Sequence, residues 1–185
     1  GAKFVRISPL RIPEGGKEAI PAEVVPCPAC APAPKKSDYI KGIVGPKTFA
    51  EFVPNVGMIE AFAAVTEVIA GERWCAFLRG NPGVGKTHLA QGAADRWADR
   101  GHVVVFVSVP DFLARLKSTF DDEAKAEYEP TWEGFAQAPL LILDDLGAEY
   151  RTSWAMSEIF RVIDRRYARR APLIVTSNCP PEQLD

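Results

Sequence analysis

From Thr48 onward, the hydrophobic and polar positions of the chain follow two patterns in alternation. Some stretches repeat apolar residues at helical spacing, and others are short continuous apolar runs typical of buried strands. The patterns predict helices over residues 58–70, 85–100, from 108 onward and 153–170, and strands over residues 73–79, 102–108, 139–144 and 172–177. This alternation predicts an α/β fold in which a parallel sheet is sandwiched by helices.

Each predicted helix has one apolar side, which we expect to pack against the sheet. Ser108, followed by Pro110 and Asp111, has the composition of a helix N-terminus, and Gly71 is a helix stop. Residues 121–138 are polar and acidic and predict a surface helix or loop. The residues predicted on the apolar sides are Ile59, Phe62, Thr66, Ile69, Leu89, Ala90, Ala93, Ala94, Trp97, Phe112, Leu113, Leu116, Phe120, Met156, Ile159, Phe160, Ile163 and Tyr167.

The first quarter of the chain departs from this pattern because it is rich in proline. Residues 1–46 contain eight of the 16 prolines, a density that excludes long helices and central strands. We therefore predict a small Pro-rich N-terminal segment over residues 1–46, which ends in a linker over residues 31–47. The folded α/β core is predicted over residues 47–185.

Composition narrows the class of protein. With 185 residues, of which 47% are apolar and 25% charged, the chain fits one globular α/β domain with a small appendage. We find no membrane-spanning run and no secretory signal, so we expect a cytoplasmic protein. Because the formal net charge is −2, any contact with nucleic acid has to come from a local basic patch. The chain begins with Gly1 rather than Met, and we expect a fragment of a longer protein.

A glycine-rich stretch between the first of these strands and the next helix has the spacing G-x-x-x-x-G-K-T. Its glycines let backbone N–H groups wrap a triphosphate without obstruction by side chains. Lys86 is expected to contact the β- and γ-phosphates, and the Thr87 hydroxyl to ligate Mg²⁺. A chance glycine-rich turn is the alternative, but the strand–loop–helix context argues against it. The predicted nucleotide-binding residues are Gly80, Asn81, Pro82, Gly83, Val84, Gly85, Lys86, Thr87 and His88.

Polar residues also follow two later strands. Asp144 and Asp145 end the third strand, where a Mg-nucleotide site needs an acidic group. We predict that Asp144 binds Mg²⁺, directly or through water, and that Asp145 orients or deprotonates the attacking water. Asn178 follows the fourth strand and is predicted to hold that water or to contact the γ-phosphate. The alternatives are a solvated turn after the strand and a capping role for Asn178.

Together these motifs resemble Walker A, Walker B and sensor 1 of the AAA+ ATPases, which are ASCE-type P-loop NTPases. A narrower resemblance, to the DnaC/DnaI helicase loaders and their transposition relative IstB, extends over residues 48–52, 109–113, 141–147, 164–167 and 172–178. Overall it covers about residues 48–185. The resemblance implies ATP and Mg²⁺ as ligands, Thr87 and Asp144 as Mg²⁺ ligands, and Asp145 and Asn178 as catalytic residues.

Two departures from the family pattern bear on activity. Most AAA+ proteins have Glu at the position of Asp145, so the carboxylate here has a shorter reach. In the family, the arginine finger and the lid with sensor 2 lie beyond the position of Asn178, and we expect neither in a chain that ends at Asp185. Because an arginine finger contributes roughly 10³ to 10⁵ in rate, we expect this chain to bind nucleotide well and hydrolyse it slowly.

Cys27 and Cys30 have the C-x-x-C spacing of half a zinc site, which needs four ligands. Four cysteines in a chain of this length do not make a disulfide framework. Related loaders carry a zinc ribbon, so the resemblance implies that residues 1–6 form a ribbon strand and that a second cysteine pair precedes Gly1. The alternative is an incidental cysteine pair in a linker.

Basic residues crowd the last predicted helix, where three arginines follow one another at intervals of four. These arginines and their neighbours are Arg161, Arg165, Arg166, Arg169 and Arg170. Such a stripe can contact DNA or the nucleotide of a neighbouring subunit, but a solvated face balanced by Glu158 and Asp164 is the favoured interpretation. Arg115 and Lys117 are a weaker candidate site for single-stranded DNA, because the family uses that region on single strands.

The leading hypothesis is an AAA+ ATPase that acts in DNA replication as a DnaC-like helicase loader, with a replicative DNA helicase as its partner. Single-stranded DNA and further copies of the chain, in an oligomer or filament, are the other expected partners, and no membrane is expected. Two alternatives stay open: an IstB-like transposition helper ATPase, and a nucleotide-dependent interaction switch with little turnover. Zinc is expected only in the full-length protein.

Overall fold

The computed structural model describes residues 4–5, 25–26, 36–42, 47–49, 51–52, 54, 56–120, 125–147 and 152–179. It separates the chain into two compact units, Gly1–Lys35 and Lys36–Asp185. In the first unit, strand β1 (Phe4–Val5) pairs antiparallel with strand β2 (Val25–Pro26). Strand β1 lies within the predicted ribbon strand, whereas Cys27 and Cys30, with their predicted zinc site, lie outside the described residues.

The second unit alternates helices and strands, as the apolar pattern predicts. Its elements in chain order are α1 (Lys36–Tyr39), β3 (Ile40–Gly42), α2 (Ile59–Ala70), β4 (Cys75–Arg79), α3 (Lys86–Asp99), β5 (Val104–Ser108), α4 (Val109–Lys117), α5 (Tyr128–Ala136), β6 (Leu140–Leu146), α6 (Ser153–Ala168) and β7 (Leu173–Ser177). Single 3₁₀ turns over Val56–Met58 and Lys125–Glu127 precede α2 and α5. Among the helices that the structure describes, none has the length and hydropathy needed to cross a membrane.

Five strands of this unit form one parallel sheet in the order β3-β5-β6-β7-β4. Strand β7 therefore lies between β4 and β6, although it follows both in sequence. Because all five strands run in the same direction, the carboxyl ends of β4, β7 and β6 meet at one edge of the sheet. The loop after β4, the acidic end of β6 and Asn178 lie at that edge.

The edge strand β3 is a difference from the sequence prediction. It lies in residues 31–47, predicted to be a linker, yet α1 and β3 belong to the second unit and β3 pairs with β5. Gly42 has a φ of 116° and approaches Phe106 so closely that a β-carbon would lie 1.8 Å from the Phe106 carbonyl oxygen. Three residues that include a lysine and a glycine give no apolar run, so the pattern carries no strand signal here.

The two faces of the sheet carry separate apolar cores. Side chains alternate along β6, so Leu140 and Ile142 pack with α2 and α3, whereas Leu141 and Leu143 pack with α4, α5 and α6. This burial on both faces explains the continuous apolar run in the sequence. Four of the five residues predicted on the inner side of α3 are buried, namely Leu89, Ala90, Ala93 and Ala94, and Trp97 is partly buried.

Several residues predicted on the apolar sides of helices are exposed instead. Ile59, Phe120, Phe160 and Tyr167 have exposed fractions of 56%, 50%, 65% and 54%, and Thr66 is exposed as well. Phe120 lies beyond the end of α4, and α6 has two adjacent apolar stripes between which periodicity alone could not choose. The residues that α2 and α6 bury are Val65, Val68, Ile69, Ala155, Ile159 and Val162.

Arg166 corrects the predicted basic stripe, because it is fully buried. Its guanidinium donates hydrogen bonds to the carbonyl oxygens of Phe135, Ala136 and Ala138, at 3.1, 3.0 and 2.8 Å, and to that of Pro172. Burial lowers the pKa of Arg166 to about 10. Two of these carbonyls end α5, where intrahelical partners are missing. Arg166 therefore joins α6 to the end of α5 and to the segments that lead into β6 and β7.

Two other arginines of the stripe pair with acidic residues. Arg161 Nη2 lies 2.9 Å from the Glu129 carboxylate on α5, and Arg161 Nη1 lies 3.7 Å from Glu158 Oε2 on its own helix. Arg165 Nη2 lies 3.8 Å from Glu133 Oε1, also on α5. These contacts support the interpretation of a charge-balanced helix face, with α5 as the main source of the balancing charge.

Candidate nucleotide-binding site

The loop between β4 and α3 has the backbone geometry of a phosphate cradle. Gly83 and Gly85 have φ angles of 82° and 103°, a conformation that favours glycine. Gly85 directly precedes α3, and no described side chain caps this end of the helix. The first N–H groups of α3 are therefore available to an anion at the positive end of the helix dipole.

Lys86 lies inside this loop and is only 7% exposed. Its Nζ donates hydrogen bonds to the carbonyl oxygens of Gly80 at 2.8 Å and Asn81 at 2.9 Å, and to Asn178 Oδ1 at 2.6 Å. These contacts use all the donors of the ammonium group. Lys86 thus connects the loop after β4 with the end of β7 and places a positive charge where phosphate oxygens would bind.

Thr87 and Asp144 face each other at the carboxyl edge of the sheet. The Thr87 hydroxyl lies 3.0 Å from Asp144 Oδ1 and 3.2 Å from Oδ2. Hydroxyl and carboxylate oxygens are ligands that Mg²⁺ prefers, so the pair fits this ion. The described residues contain no group of three or more His, Cys, Asp or Glu side chains that could bind a metal.

Asp145 and Asn178 meet beside this pair. Asn178 Nδ2 donates a hydrogen bond of 2.8 Å to Asp145 Oδ1, while Asn178 Oδ1 accepts from Lys86. Asp145 has a φ of 59°, a left-handed conformation that is uncommon for residues other than glycine. Asp145 is exposed to solvent.

A cleft of about 330 Å³ opens between these groups. The residues that line it are Pro82, Gly83, Gly85, Lys86, Thr87, His88, Asp144, Asp145 and Asn178. The fold therefore brings together residues predicted from three separate motifs. Gly80, Asn81 and Val84 belong to the same loop but do not line the cleft.

The aromatic segment of residues 48–52, part of the narrower family resemblance, packs on α3. The rings of Phe52 and His88 meet edge to face with centroids 5.2 Å apart, and Phe52 also stacks on Phe62 at 5.8 Å. A β-carbon at Gly92 would lie 2.9 Å from the Cα of Phe49. His88 Nε2 is buried without a hydrogen-bond partner in the described part of the chain. This packing fixes the helix whose N-terminus faces the cleft.

Sequence reasoning also missed the contacts of two buried hydroxyl groups at the end of β7. Thr176 Oγ1 donates to Asp144 Oδ1 at 2.7 Å and accepts from the Asp145 N–H at 2.9 Å. Ser177 Oγ donates to the Leu146 carbonyl oxygen. The available signal was two polar residues at the end of an otherwise apolar strand.

Comparison with known proteins shows which protein family this chain resembles. The family model described as IstB-like ATP binding protein matches residues 64–185, more than half of the chain. The replicative helicase loader DnaI of Bacillus subtilis (strain 168) is 30% identical over 156 residues, which are 80% of this chain and 49% of DnaI. The insertion sequence IS21 putative ATP-binding protein of Pseudomonas aeruginosa is 38% identical over 103 residues, 55% of this chain and 37% of that protein.

A solved structure supports the same assignment. The replication initiator DnaA bound to AMPPCP and single-stranded DNA aligns with a TM-score of 0.68 at 26% identity, covering 78% of this chain and 46% of DnaA. This likeness confirms the predicted fold class, an α/β P-loop fold of the AAA+ type. The chain spans half or less of the length of the curated relatives described above. The family match includes the phosphate loop, the acidic pair and Asn178, and the chain therefore belongs to the IstB-like ATP-binding proteins.

Proposed function

We propose that this chain binds ATP with Mg²⁺ and hydrolyses it in the cleft where β4, β6 and β7 end. The observation that carries the proposal is the hydrogen-bonded connection from Lys86 through Asn178 to Asp145. The Asn178 amide accepts from the lysine at 2.6 Å and donates to the carboxylate at 2.8 Å. One side chain thus contacts both the phosphate-binding charge and the group that would orient water. Hydrolysis can therefore respond to the γ-phosphate.

Each residue has a distinct task in this proposal. The loop N–H groups and Lys86 bind the phosphates, and Thr87 and Asp144 supply oxygen ligands to Mg²⁺. When bound, Mg²⁺ neutralises charge on the phosphate oxygens. Asp145 accepts a hydrogen bond from the attacking water, orients it and takes its proton as a general base. Asn178 contacts the γ-phosphate and fixes Asp145.

Two substitutions separate binding from hydrolysis. Lys86→Ala is expected to remove ATP binding, measured by titration of a fluorescent ATP analogue. Asp145→Asn keeps the loop intact, so we expect binding within a few-fold of the original chain. Phosphate release should fall by about 10² or more, because loss of a general base typically costs 10² to 10⁴. Unchanged phosphate release in Asp145→Asn would contradict the proposed role of this residue.

We also propose that the chain acts on a replicative DNA helicase in DNA replication, as the name of DnaI states for that relative. The support is a similarity that extends over 80% of this chain. The IS21 protein is more similar, at 38% identity, but over a shorter stretch of 103 residues. A transposition helper is therefore the second candidate, and a switch that responds to ATP binding without turnover is the third.

Capture experiments distinguish these candidates. The tagged chain is mixed, with and without ATP, with the replicative helicase and with the transposase of the organism that encodes the chain. ATP-dependent capture of the helicase alone supports the loader, and capture of the transposase alone supports the helper. If Asp145→Asn captures but does not release its partner, hydrolysis drives release, whereas unchanged release supports the switch. Light scattering with and without ATP tests the expected association of the chain with further copies of itself.

A second proposed activity, the binding of single-stranded DNA, is supported by a separate observation. Phe120 lies 5.3 Å from Trp154 and 5.9 Å from Tyr128 between ring centroids, and Lys117 Nζ lies 5.2 Å from the Trp154 ring. Exposed aromatic rings stack with bases, and a nearby ammonium group neutralises phosphate. Phe120 is exposed, Tyr128 and Trp154 are partly buried, and Lys117 belongs to the predicted basic pair Arg115 and Lys117. We propose this aromatic cluster as the local patch through which an acidic chain would bind single-stranded DNA.

Phe120→Ala tests this activity. Stacking of one base contributes about 1–3 kcal/mol, so we expect the affinity for a fluorescent single-stranded oligonucleotide to fall by about 5-fold to 150-fold in anisotropy titrations. Phe160→Ala is the matched control, because Phe160 is an exposed aromatic residue on α6 outside the cluster. Equal effects of the two substitutions would argue against the cluster as the binding site.

A further inference from the structure

The last residues of β7 are unusual for a central strand, because two hydroxyl side chains are buried there. Thr176 is 1% exposed and Ser177 is 0% exposed, after the apolar residues Leu173, Ile174 and Val175. A buried hydroxyl is unfavourable unless it forms hydrogen bonds. The partners of these two groups therefore indicate what they contribute.

The pairing of β6 with β7 changes register at this point. Leu143 pairs with Val175, but the next pair joins Leu146 to Ser177. Asp144 and Asp145 on β6 consequently lie opposite Thr176 alone, which is the arrangement of a β-bulge. A bulge takes one residue out of the ladder, and Asp145 has the left-handed φ of 59° here. The backbone N–H of such a residue needs a partner outside the regular ladder.

Thr176 supplies that partner and holds the neighbouring carboxylate as well. Its Oγ1 accepts a hydrogen bond from the Asp145 N–H at 2.9 Å and donates one to Asp144 Oδ1 at 2.7 Å. One hydroxyl group can accept and donate at once, so it satisfies both residues. Because threonine is β-branched, its rotamer is restricted on a strand, which fixes the direction of both bonds.

We propose that Thr176 is the positioning residue of the acidic pair. Through one hydroxyl it aims the Asp144 carboxylate at the metal position beside Thr87 and holds the backbone of Asp145 in the bulge. The inference rests on the proposed binding of ATP with Mg²⁺. Asp144 Oδ1 accepts from Thr176 and from Thr87. A metal ion held by Thr87 and Asp144 would replace the second contact and leave the first in place.

Thr176→Val tests the proposal, because valine keeps the branched shape and lacks the hydroxyl. Loss of a group that orients a metal ligand typically costs 10-fold to 100-fold in metal affinity. We expect the Mg²⁺ concentration for half-maximal binding of a fluorescent ATP analogue to rise by about that factor. Binding in EDTA depends on the loop and on Lys86, and we expect it within about twofold of the original chain.

Two variants separate positioning from general stability. Thr176→Ser restores the hydroxyl and is expected to return the Mg²⁺ requirement to within about threefold. Ser177→Ala removes a neighbouring buried hydroxyl of the same bulge, whose partners are the Leu146 carbonyl and the Cys179 N–H rather than a carboxylate. We expect this control to leave the Mg²⁺ requirement unchanged. Should Thr176→Val not fold, Thr176→Ala gives the same comparison.

The results have distinct meanings. The inference is overturned if Thr176→Val weakens binding in EDTA as much as in Mg²⁺, if Ser177→Ala has the same effect, or if serine does not rescue. It is also overturned if the original chain binds nucleotide equally with and without Mg²⁺. Absence of nucleotide binding by the original chain under both conditions contradicts the proposed function itself.

Discussion

A guanidinium group in an apolar core is costly unless its donors are satisfied. Arg166 donates from Nη1 and Nη2 to four backbone carbonyl oxygens, whereas its buried Nε has no hydrogen-bond partner among the described residues. No carboxylate forms an ion pair with it in the described part of the chain. The group acts as a cap for α5 from within the core. Its contribution is therefore one of hydrogen bonding to main-chain acceptors, in contrast to the ion pairs of Arg161 and Arg165 on the surface.

Arg166→Met is expected to lower the free energy of unfolding by about 3 kcal/mol or more. The physical reason is that hydrogen bonds to charged groups contribute about 1.5–3 kcal/mol each, and buried carbonyls would lose their donor. Urea unfolding followed by circular dichroism measures the change. Arg165→Met is the matched control on the same helix, and its exposed ion pair with Glu133 should account for about 1 kcal/mol at most. Comparable losses would disprove the capping role.

At the scale of residues, the sequence predicts the site residues whose type is restricted by phosphate and metal binding. The phosphate loop, Asp144, Asp145 and Asn178 follow motifs with fixed spacing. Arg166 could not be predicted, because a helical pattern counts arginine as polar and places it on the surface. The contacts of Thr176 depend on a register shift between β6 and β7, and a register shift leaves no periodic signal in either strand.

At the scale of elements, α3 depends on glycine for its contact with the aromatic segment. Gly92→Ala would place a β-carbon 2.9 Å from Phe49 Cα and 3.1 Å from Phe49 N. We expect a loss of about 1–3 kcal/mol in the free energy of unfolding, because overpacking against backbone cannot relax easily. The measurement is thermal or urea unfolding of the purified chain.

Gly134→Ala in α5 is the control for this prediction. It is also a helical glycine, but among the described residues no atom outside its chain neighbours and its own helix backbone lies within 4 Å of a β-carbon built there. Alanine favours helix over glycine, so we expect a gain of about 0.5–1 kcal/mol. Opposite signs for the two substitutions would support close packing at Gly92, and gains at both positions would argue against it.

Element boundaries follow from the strength of the apolar signal. Strands β5, β6 and β7 have long apolar runs and lie close to their predicted positions. Strand β3 has no such run and is held in the sheet by its pairing with β5 and by the ion pairs of Lys36 with α3. The inner face of α6 was ambiguous because Phe160 and Tyr167 lie on a second apolar stripe next to the buried one.

At the scale of the whole molecule, ligand binding and folding are linked. A ligand that binds the folded state alone adds about 2.7 kcal/mol at 100 times its Kd. For a domain of this size, about 1 kcal/mol corresponds to roughly 2–4 °C in Tm. We therefore expect saturating ATP with Mg²⁺ to raise the Tm by about 5–10 °C in a fluorescence melting experiment.

The same experiment with Lys86→Ala provides the control. Without the buried ammonium group we expect the Tm to be independent of ATP at the same concentration. A shift in Lys86→Ala equal to that of the original chain would place the nucleotide somewhere other than the loop between β4 and α3.

The sequence also predicts the class of the whole fold, because helices that alternate with apolar strands favour a parallel sheet. The order of the strands does not follow from the pattern. It depends on which strand each helix returns to, and the insertion of β7 between β4 and β6 becomes visible only in the structure. That insertion is what brings Lys86, Asn178 and Asp145 into contact.

The position of β7 also determines how much variation in length the chain can tolerate. Consecutive side chains of a strand point to opposite faces, so one inserted residue would turn Thr176 away from the acidic pair. Since Asn178 would move as well, its contacts with Lys86 and Asp145 would be lost in the same step. Among natural relatives we therefore expect insertions and deletions in the connections between elements rather than within β7. The five-residue spacing from Leu173 to Asn178 should be constant.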